Sequence, residues 1–225
     1  MKTVALVPIR SGSKEIPDKN IKDMCGKPLA CWVIDAAVKS TVDSVWVSSD
    51  SREYLDLICS RYSDKVFPFH RPAELATDDI HLDPTILNFA EKIQFDAVIT
   101  LQATNPFTET TDINGALNRI EAYDSMLSAV RHYRFAWTAS GEAYSNYGKP
   151  VNYDYLKRPN RQSHMEPFHI ENGAFYITKR DTLFKYKNRL GGNIGIYNMP
   201  KHTLTEIDSE EDWKAVEKTL AYLVS

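Results

Sequence analysis

Short apolar runs alternate with amphipathic stretches along most of the chain, and that alternation constrains the fold more than any other feature. Val4-Ala5-Leu6-Val7 is apolar throughout, as a parallel strand covered on both faces requires. Residues 29–39 place Leu29, Trp32, Val33, Ala36 and Ala37 on one helical stripe. Ser44-Val45-Trp46-Val47-Ser48 reads as the next strand and residues 51–59 as the next helix. Val66-Phe67-Pro68 is a short strand at best, because its proline cannot donate to a ladder. Asp83-Pro84 suits an N-cap and first helical position, opening a helix to about residue 93. A buried strand at residues 97–101, a helix at 111–121 and a strand at 125–130 continue the series. The order predicts an α/β fold with an open, mostly parallel sheet, right-handed crossovers and helices on both faces.

Residues 131–172 interrupt this rhythm. They hold Tyr133, Phe135, Trp137, Tyr144, Tyr147, Tyr153 and Tyr155 with little helical period. Linkers are not this aromatic, so the segment reads as a strand-rich excursion from the main sheet. Regularity returns at Gly173-Ala174-Phe175-Tyr176-Ile177, with a short helix near 181–186, a strand near 194–197 and a closing helix over 209–223. A chain of 225 residues fits one domain carrying such an excursion.

Hydrophobic residues make up 43% of the chain and charged residues 25%, which excludes disorder as the main state. The formal charge of −3 argues against a dedicated nucleic-acid or membrane-surface protein. Three cysteines, Cys25, Cys31 and Cys59, give an odd count without zinc spacing; each suits a buried small hydrophobe in a reducing compartment. The first apolar run is broken by Arg10, well short of a signal peptide core or a membrane span, so a cytoplasmic protein is expected. The six histidines show no ligand spacing.

The segment richest in chemistry is Arg10-Ser11-Gly12-Ser13-Lys14-Glu15-Ile16-Pro17-Asp18-Lys19-Asn20, directly after the first strand. Open α/β sheets bind ligands at the carboxyl ends of their strands. Small residues there let backbone N–H groups approach an anion, and Arg10, Lys14 and Lys19 add fixed positive charge, as a polyphosphate requires. The spacing is neither a Walker loop nor a dinucleotide fingerprint, and a flexible surface loop would have a similar composition.

This segment strongly resembles the acylneuraminate cytidylyltransferase family, the CMP-sialic acid synthetases. The resemblance continues through Gly26-Lys27-Pro28-Leu29, the run ending at Asp50, Arg71-Pro72-Ala73-Glu74-Leu75-Ala76 and Leu101-Gln102-Ala103-Thr104-Asn105-Pro106. It extends over Lys157-Arg158-Pro159-Asn160-Arg161-Gln162, Glu171-Asn172-Gly173-Ala174-Phe175-Tyr176 and Glu206-Ile207-Asp208-Ser209-Glu210-Glu211-Asp212. These motifs stand in family order over nearly the whole chain. The resemblance implies a Rossmann-like nucleotidyltransferase sheet and a homodimer in which the excursion packs against the partner's site. It also implies a reaction: the anomeric hydroxyl of a nine-carbon 2-keto sugar acid attacks the α-phosphate of CTP, and pyrophosphate leaves.

The resemblance assigns roles residue by residue. Arg10 and Lys14, with Gly12 and Ser13, would bind the triphosphate, and Lys19 and Asn20 the phosphates or the base–ribose end. Arg71 would sit by the cytosine. Gln102, Asn105 and Asn172 would form the sugar-acid wall, and Arg161 with Gln162 would meet its carboxylate, which suits an arginine fork. Glu206 and Asp208 would hold Mg²⁺, and Arg10, Lys14 and Asp208 would carry catalysis. Bland readings stand beside these: a surface ion pair for Arg71, a core hydrogen bond for Gln102, a solvated basic face at 157–161, and an N-cap at Asp208 with Glu211 completing its capping box. Asp50 ends the second strand, where a ribose or metal contact is conceivable.

Three positions depart from the family pattern. Glu15 stands where glycine is frequent, Glu206 where many members have aspartate, and no arginine occurs at 168–172, where some bacterial members place one for the sugar. Rival readings are a cytidylyltransferase for another acid (deaminated sialic, pseudaminic, legionaminic or Kdo type) and a non-catalytic nucleotide-binding homologue. Retention of Glu206 with Asp208 favours an enzyme. The charge is also segregated. Residues 10–27 carry five bases against three acids, residues 131–161 six bases against two acids, and residues 205–225 two bases against six acids. Two basic segments match two anionic substrates, and an acidic one matches a divalent cation.

Overall fold

The computed structural model describes residues 1–140, 147–160 and 167–225. The elements run β1 (Thr3–Pro8), β2 (Asp23–Met24), β3 (Lys27–Pro28), α1 (Leu29–Val38), β4 (Ser44–Ser49), α2 (Arg52–Cys59), β5 (Val66–His70), α3 (Leu82–Lys92), β6 (Ala97–Leu101) and α4 (Thr110–Leu117). They continue with β7 (Ser125–His132), β8 (Trp137–Ser140), β9 (Tyr147–Pro150), β10 (Phe168–Lys179), α5 (Arg180–Tyr186), β11 (Ile194–Met199) and α6 (Glu210–Val224).

Seven strands form one sheet in the order β11-β7-β10-β6-β1-β4-β5. Every pairing among them is parallel except those of β10, which is antiparallel to both β6 and β7. The expected Rossmann-like α/β class, a mostly parallel sheet with helices on both faces, is therefore what the chain adopts.

The apolar runs explain the layering. Ala5 and Val7 face one way from β1 and pack with Val33 and Ile34 of α1, Ile58 of α2 and Ile113 of α4. Val4 and Leu6 face the other way and pack with Ile86 and Phe89 of α3 and Leu183 of α5. Burying a side chain such as Leu6 stabilises the fold by roughly 1.5–3 kcal/mol, which is why both faces of the central strands are committed to helices. A third cluster joins Ile16 and Met24 of the segment after β1 to Phe107, Ile207, and Trp213, Val216 and Leu220 of α6. The segment after β1 is thus pinned at a fully buried Ile16 rather than being a free surface loop.

Several local readings shift. Asp83 does not cap α3: His81 occupies the N-cap position, while the Asp83 carboxylate accepts the Arg189 backbone N–H at 2.8 Å and pairs with its guanidinium at 3.7 Å. Ser209, not Asp208, caps α6, in a capping box closed by Asp212. β5 accommodates Pro68 because it is an edge strand with one side free of ladder bonds. The helix at 111–121 stops at Leu117 and gives way to a 3₁₀ turn at Ile120–Ala122. The excursion is narrower than 131–172, since β7 runs to His132 and β10 begins at Phe168. Between them β8 and β9 pair as a separate antiparallel hairpin.

Candidate active site

The chain leaves β1 toward β4 and β5 on one side, then crosses to β6 on the other, so the carboxyl ends of β1 and β6 flank the point where strand order reverses. A crevice opens there, as the topology of open α/β sheets dictates. Its walls include Arg10, Ser13, Lys19 and Asn20 from the segment after β1, Arg71 after β5, and Gln102 after β6. It shares Arg10, Ser13 and Lys19 with an adjoining cleft that adds Lys14 and Asp208.

The segment after β1 is held in shape from several directions. Asp50, at the end of β4, accepts the Ser11 backbone N–H at 3.0 Å through Oδ1 and the Ser11 hydroxyl at 2.5 Å through Oδ2. Burial pushes the Asp50 carboxyl up, but the Ser11 hydrogen bonds and the Arg71 charge outweigh it and hold the group below its ordinary value. Asn20 Nδ2 donates to the Arg10 carbonyl at 3.0 Å, and the Tyr54 hydroxyl donates to Asp18 at 2.5 Å. Gly12 has φ +70°, a left-handed position, and faces open space.

The cations differ in setting. Lys14 is largely exposed and pairs with Asp78 at 2.6 Å, and Arg10 pairs with the other oxygen of the same carboxylate. Lys19 is half-buried, donates to the Ile207 carbonyl at 2.7 Å and lies 3.9 Å from Asp208. Burial lowers its pKa, and Asp208 partly offsets that. Arg71 is 3% exposed, so it is not a surface ion pair. Its Nη1 reaches Thr85 Oγ1 at only 3.4 Å, and its Nε has no partner among the described residues. A buried guanidinium with an unfilled donor on a crevice wall is suited to an external acceptor.

Gln102 donates to the Gly173 carbonyl at 2.6 Å while lining the crevice, combining the core bond and the site position. Asn105 and Asn172 lie elsewhere. Both are fully buried. Asn105 Nδ2 donates to the carbonyls of Asn172 and Thr203, and Asn172 Nδ2 to Thr203 Oγ1. They brace β10 against the segment leading to Glu206 rather than lining the crevice. Arg161 and Gln162 lie outside the described residues.

Glu206 is half-buried and Asp208 exposed on either side of the buried Ile207, and their carboxylates are near enough for each charge to act on the other. Burial first, then the charges of Asp208 and Glu171, push the Glu206 carboxyl up. Two hard oxygen donors that repel one another suit a Mg²⁺ ion, which takes few carboxylates and completes its shell with phosphate oxygens and water. Among the described residues no group of three or more His, Cys, Asp or Glu is poised for a metal.

Sequence reasoning missed Asp78, which faces both Arg10 and Lys14, and left the role of Asp50 open. The signal for Asp78 is faint: an acid pair, Asp78-Asp79, just beyond the motif that begins at Arg71.

Fold and crevice together define a Rossmann-like α/β protein whose crevice beside β1 and β6 gathers Arg10, Lys19 and Arg71. The profile described as Cytidylyltransferase matches residues 4–222, and the chain belongs to that family. It is 36% identical over 217 residues to N-acylneuraminate cytidylyltransferase B of Danio rerio, covering 95% of this chain and 50% of that protein. It is 28% identical over 236 residues to CMP-N,N'-diacetyllegionaminic acid synthase of Legionella pneumophila, covering 98% and 97%. The chain therefore spans about half the length of the N-acylneuraminate cytidylyltransferases it resembles and nearly all of the Legionella protein. In structure it is similar to CMP:2-keto-3-deoxy-manno-octonic acid synthetase complexed with CTP, with a TM-score of 0.71 at 18% identity over 99% of this chain and 100% of that one. At that identity the likeness speaks for the fold.

Proposed function

We propose that the chain transfers CMP from CTP to the anomeric hydroxyl of a nine-carbon 2-keto sugar acid of the sialic type, releasing pyrophosphate. One observation carries this reading: Arg10 and Lys19 line both a crevice walled by the buried, underpartnered Arg71 and an adjoining cleft that adds Lys14 and Asp208. A triphosphate needs Arg10 and the two lysines, a base needs Arg71, and a metal needs Asp208. The names of the relatives point the same way.

In this reading Arg10, Ser13 and Lys14 bind the phosphates, and Gly12 leaves the mouth open. Lys19 and Asn20 bridge phosphate and ribose, and the Arg71 Nε–H donates to the base. Gln102, with Arg161 and Gln162, receives the sugar acid, and Asn105 and Asn172 hold that wall from behind. Transfer at phosphorus asks the protein mainly for positioning and charge neutralisation, and fixed cations supply both. Mg²⁺ held by Glu206 and Asp208 would neutralise the leaving pyrophosphate and polarise the α-phosphate.

The Legionella relative, matched over nearly its full length, favours a second acid, of the legionaminic type, as the alternative substrate. A panel of sialic, deaminated sialic, legionaminic, pseudaminic and octulosonic acids, assayed for pyrophosphate release from CTP with Mg²⁺, decides between them. Absence of product with every acid overturns the enzyme reading.

A homodimer belongs to the same proposal. Trp137 is 50% exposed and Leu156 78% exposed on and beside the β8–β9 hairpin, an apolar surface of interface composition. Light scattering tests it, and a monomer at all concentrations refutes it. Cytoplasmic placement is supported by three free cysteines, which suit a reducing compartment. Fractionation of cells tests it.

A further inference from the structure

Asp78 sits in a turn between the 3₁₀ helix Ala73–Leu75 and α3. Residues 77–81 are all exposed, yet they wall the crevice, contributing Thr77, Asp78, Ile80 and His81 to its lining. Ion pairing ties this stretch to the opposite wall: one Asp78 oxygen meets Arg10 and the other meets Lys14 at 2.6 Å. The carboxylate thus stands between the two cations that would otherwise face each other and the solvent.

We infer that Asp78 is an anionic placeholder, holding Arg10 and Lys14 together until an incoming polyphosphate displaces it and frees the 77–81 turn. The inference rests on reading this crevice as the triphosphate site. Three features support it. Asp78 supplies two oxygens and one negative charge, whereas a triphosphate brings more of both to the same two cations. The pair lies at a solvent-exposed rim, Lys14 being 80% exposed, where ion pairs are weak enough to exchange readily. The mutual effect is visible in both partners: hydrogen bonding and charge from Lys14 and Arg10 hold the Asp78 carboxyl low, and Asp78 raises Lys14 against the opposing charge of Arg10. Displacement would also uncover the turn around Ile80, an apolar side chain 40% exposed on the crevice wall.

The test is titration calorimetry of inorganic tripolyphosphate, in EDTA, against the full chain and its D78N, D78A and D79N variants. Asp79 is the adjacent acid and acts on Lys14 only through its charge, so D79N controls for simple loss of negative charge. Both Asp78 variants should bind tripolyphosphate about five- to tenfold more tightly than wild type, with D79N within about twofold. Unchanged or weaker binding by the Asp78 variants overturns the placeholder, as does an equal gain in D79N. Tighter tripolyphosphate binding together with no turnover of CTP on any sugar acid would sink the enzyme reading and leave the placeholder standing. Turnover without the gain would do the reverse.

Discussion

The carboxylate of Glu206 packs directly on the α-carbon of Gly173. A Cβ built on Gly173 would lie 2.0 Å from Glu206 Oε2, and Gly173 itself has φ +57°. The glycine sits where the β10 pairing with β7 is interrupted between Glu171 and Tyr176, so the break in the strand is also the seat of an acid.

Replacing Gly173 by alanine should therefore separate function from stability. The left-handed backbone costs about 1–2 kcal/mol for a residue with a Cβ. The collision is with the far end of a side chain, which can swing away. A fall in Tm of roughly 2–8 °C is expected, accompanied by a much larger rise in the Mg²⁺ concentration needed for half-maximal turnover. Scanning calorimetry and a Mg²⁺ titration check this; an unchanged Mg²⁺ requirement would refute the role of Glu206.

Asp50 fixes Ser11 through two hydrogen bonds and faces the buried Arg71. Asp50→Ala should raise the KM for CTP about tenfold, as expected for the loss of hydrogen bonds to a charged group, and change kcat less. Its carboxyl titrates lower in the folded chain than the ordinary aspartate value of 3.8. The stabilisation it gives is then full above pH 3.8 and lost as pH falls through the lower folded value. Urea midpoints of wild type and D50A should differ at neutral pH and converge in acid; a gap that persists in acid would contradict the assignment.

Arg71→Lys keeps a cation but loses the Nε–H and the planar fork. The KM for CTP should rise at least about tenfold while the Tm moves little, because among the described residues the native side chain makes only one long internal bond. Equal KM values would show that Arg71 is structural.

Asp208 is 85% exposed, and α6 is capped by Ser209 without it. Asp208→Ala should change the unfolding free energy by no more than an ordinary surface substitution does, about ±0.5 kcal/mol. Turnover should fall at least about a hundredfold, with CTP binding largely retained. Pyrophosphate release and calorimetric titration of CTP measure the two, and normal turnover would remove Asp208 from the metal site.

The sheet was legible wherever one strand is apolar on both faces. Residues 97–101 match β6 at both ends because such a run has few other uses. Helix starts were less legible. Asp83 and His81 compete for one end, and the winner is decided by Arg189, 106 positions away, which claims the Asp83 carboxylate. At α6, Asp208 and Ser209 each have an acid three residues on, and the sequence offers no local reason to prefer Ser209. The site shows the same division. Arg10, Lys14 and Lys19 advertise themselves on one segment. The bracing by Asn105 and Asn172, and the approach of Asp78 to Arg10 across 68 positions, exist only once β6, β10 and the 77–81 turn are assembled.

The apolar stripe of α6 that covers Ile16 has a consequence for the order of synthesis. The segment after β1 leaves the ribosome roughly 200 residues before Trp213 and Val216 can close over it. At about 5–20 residues per second that interval is on the order of 10–40 s. The segment after β1 is therefore completed by a helix made far later, and a nascent chain arrested before residue 213 should carry a formed sheet with Ile16 still uncovered.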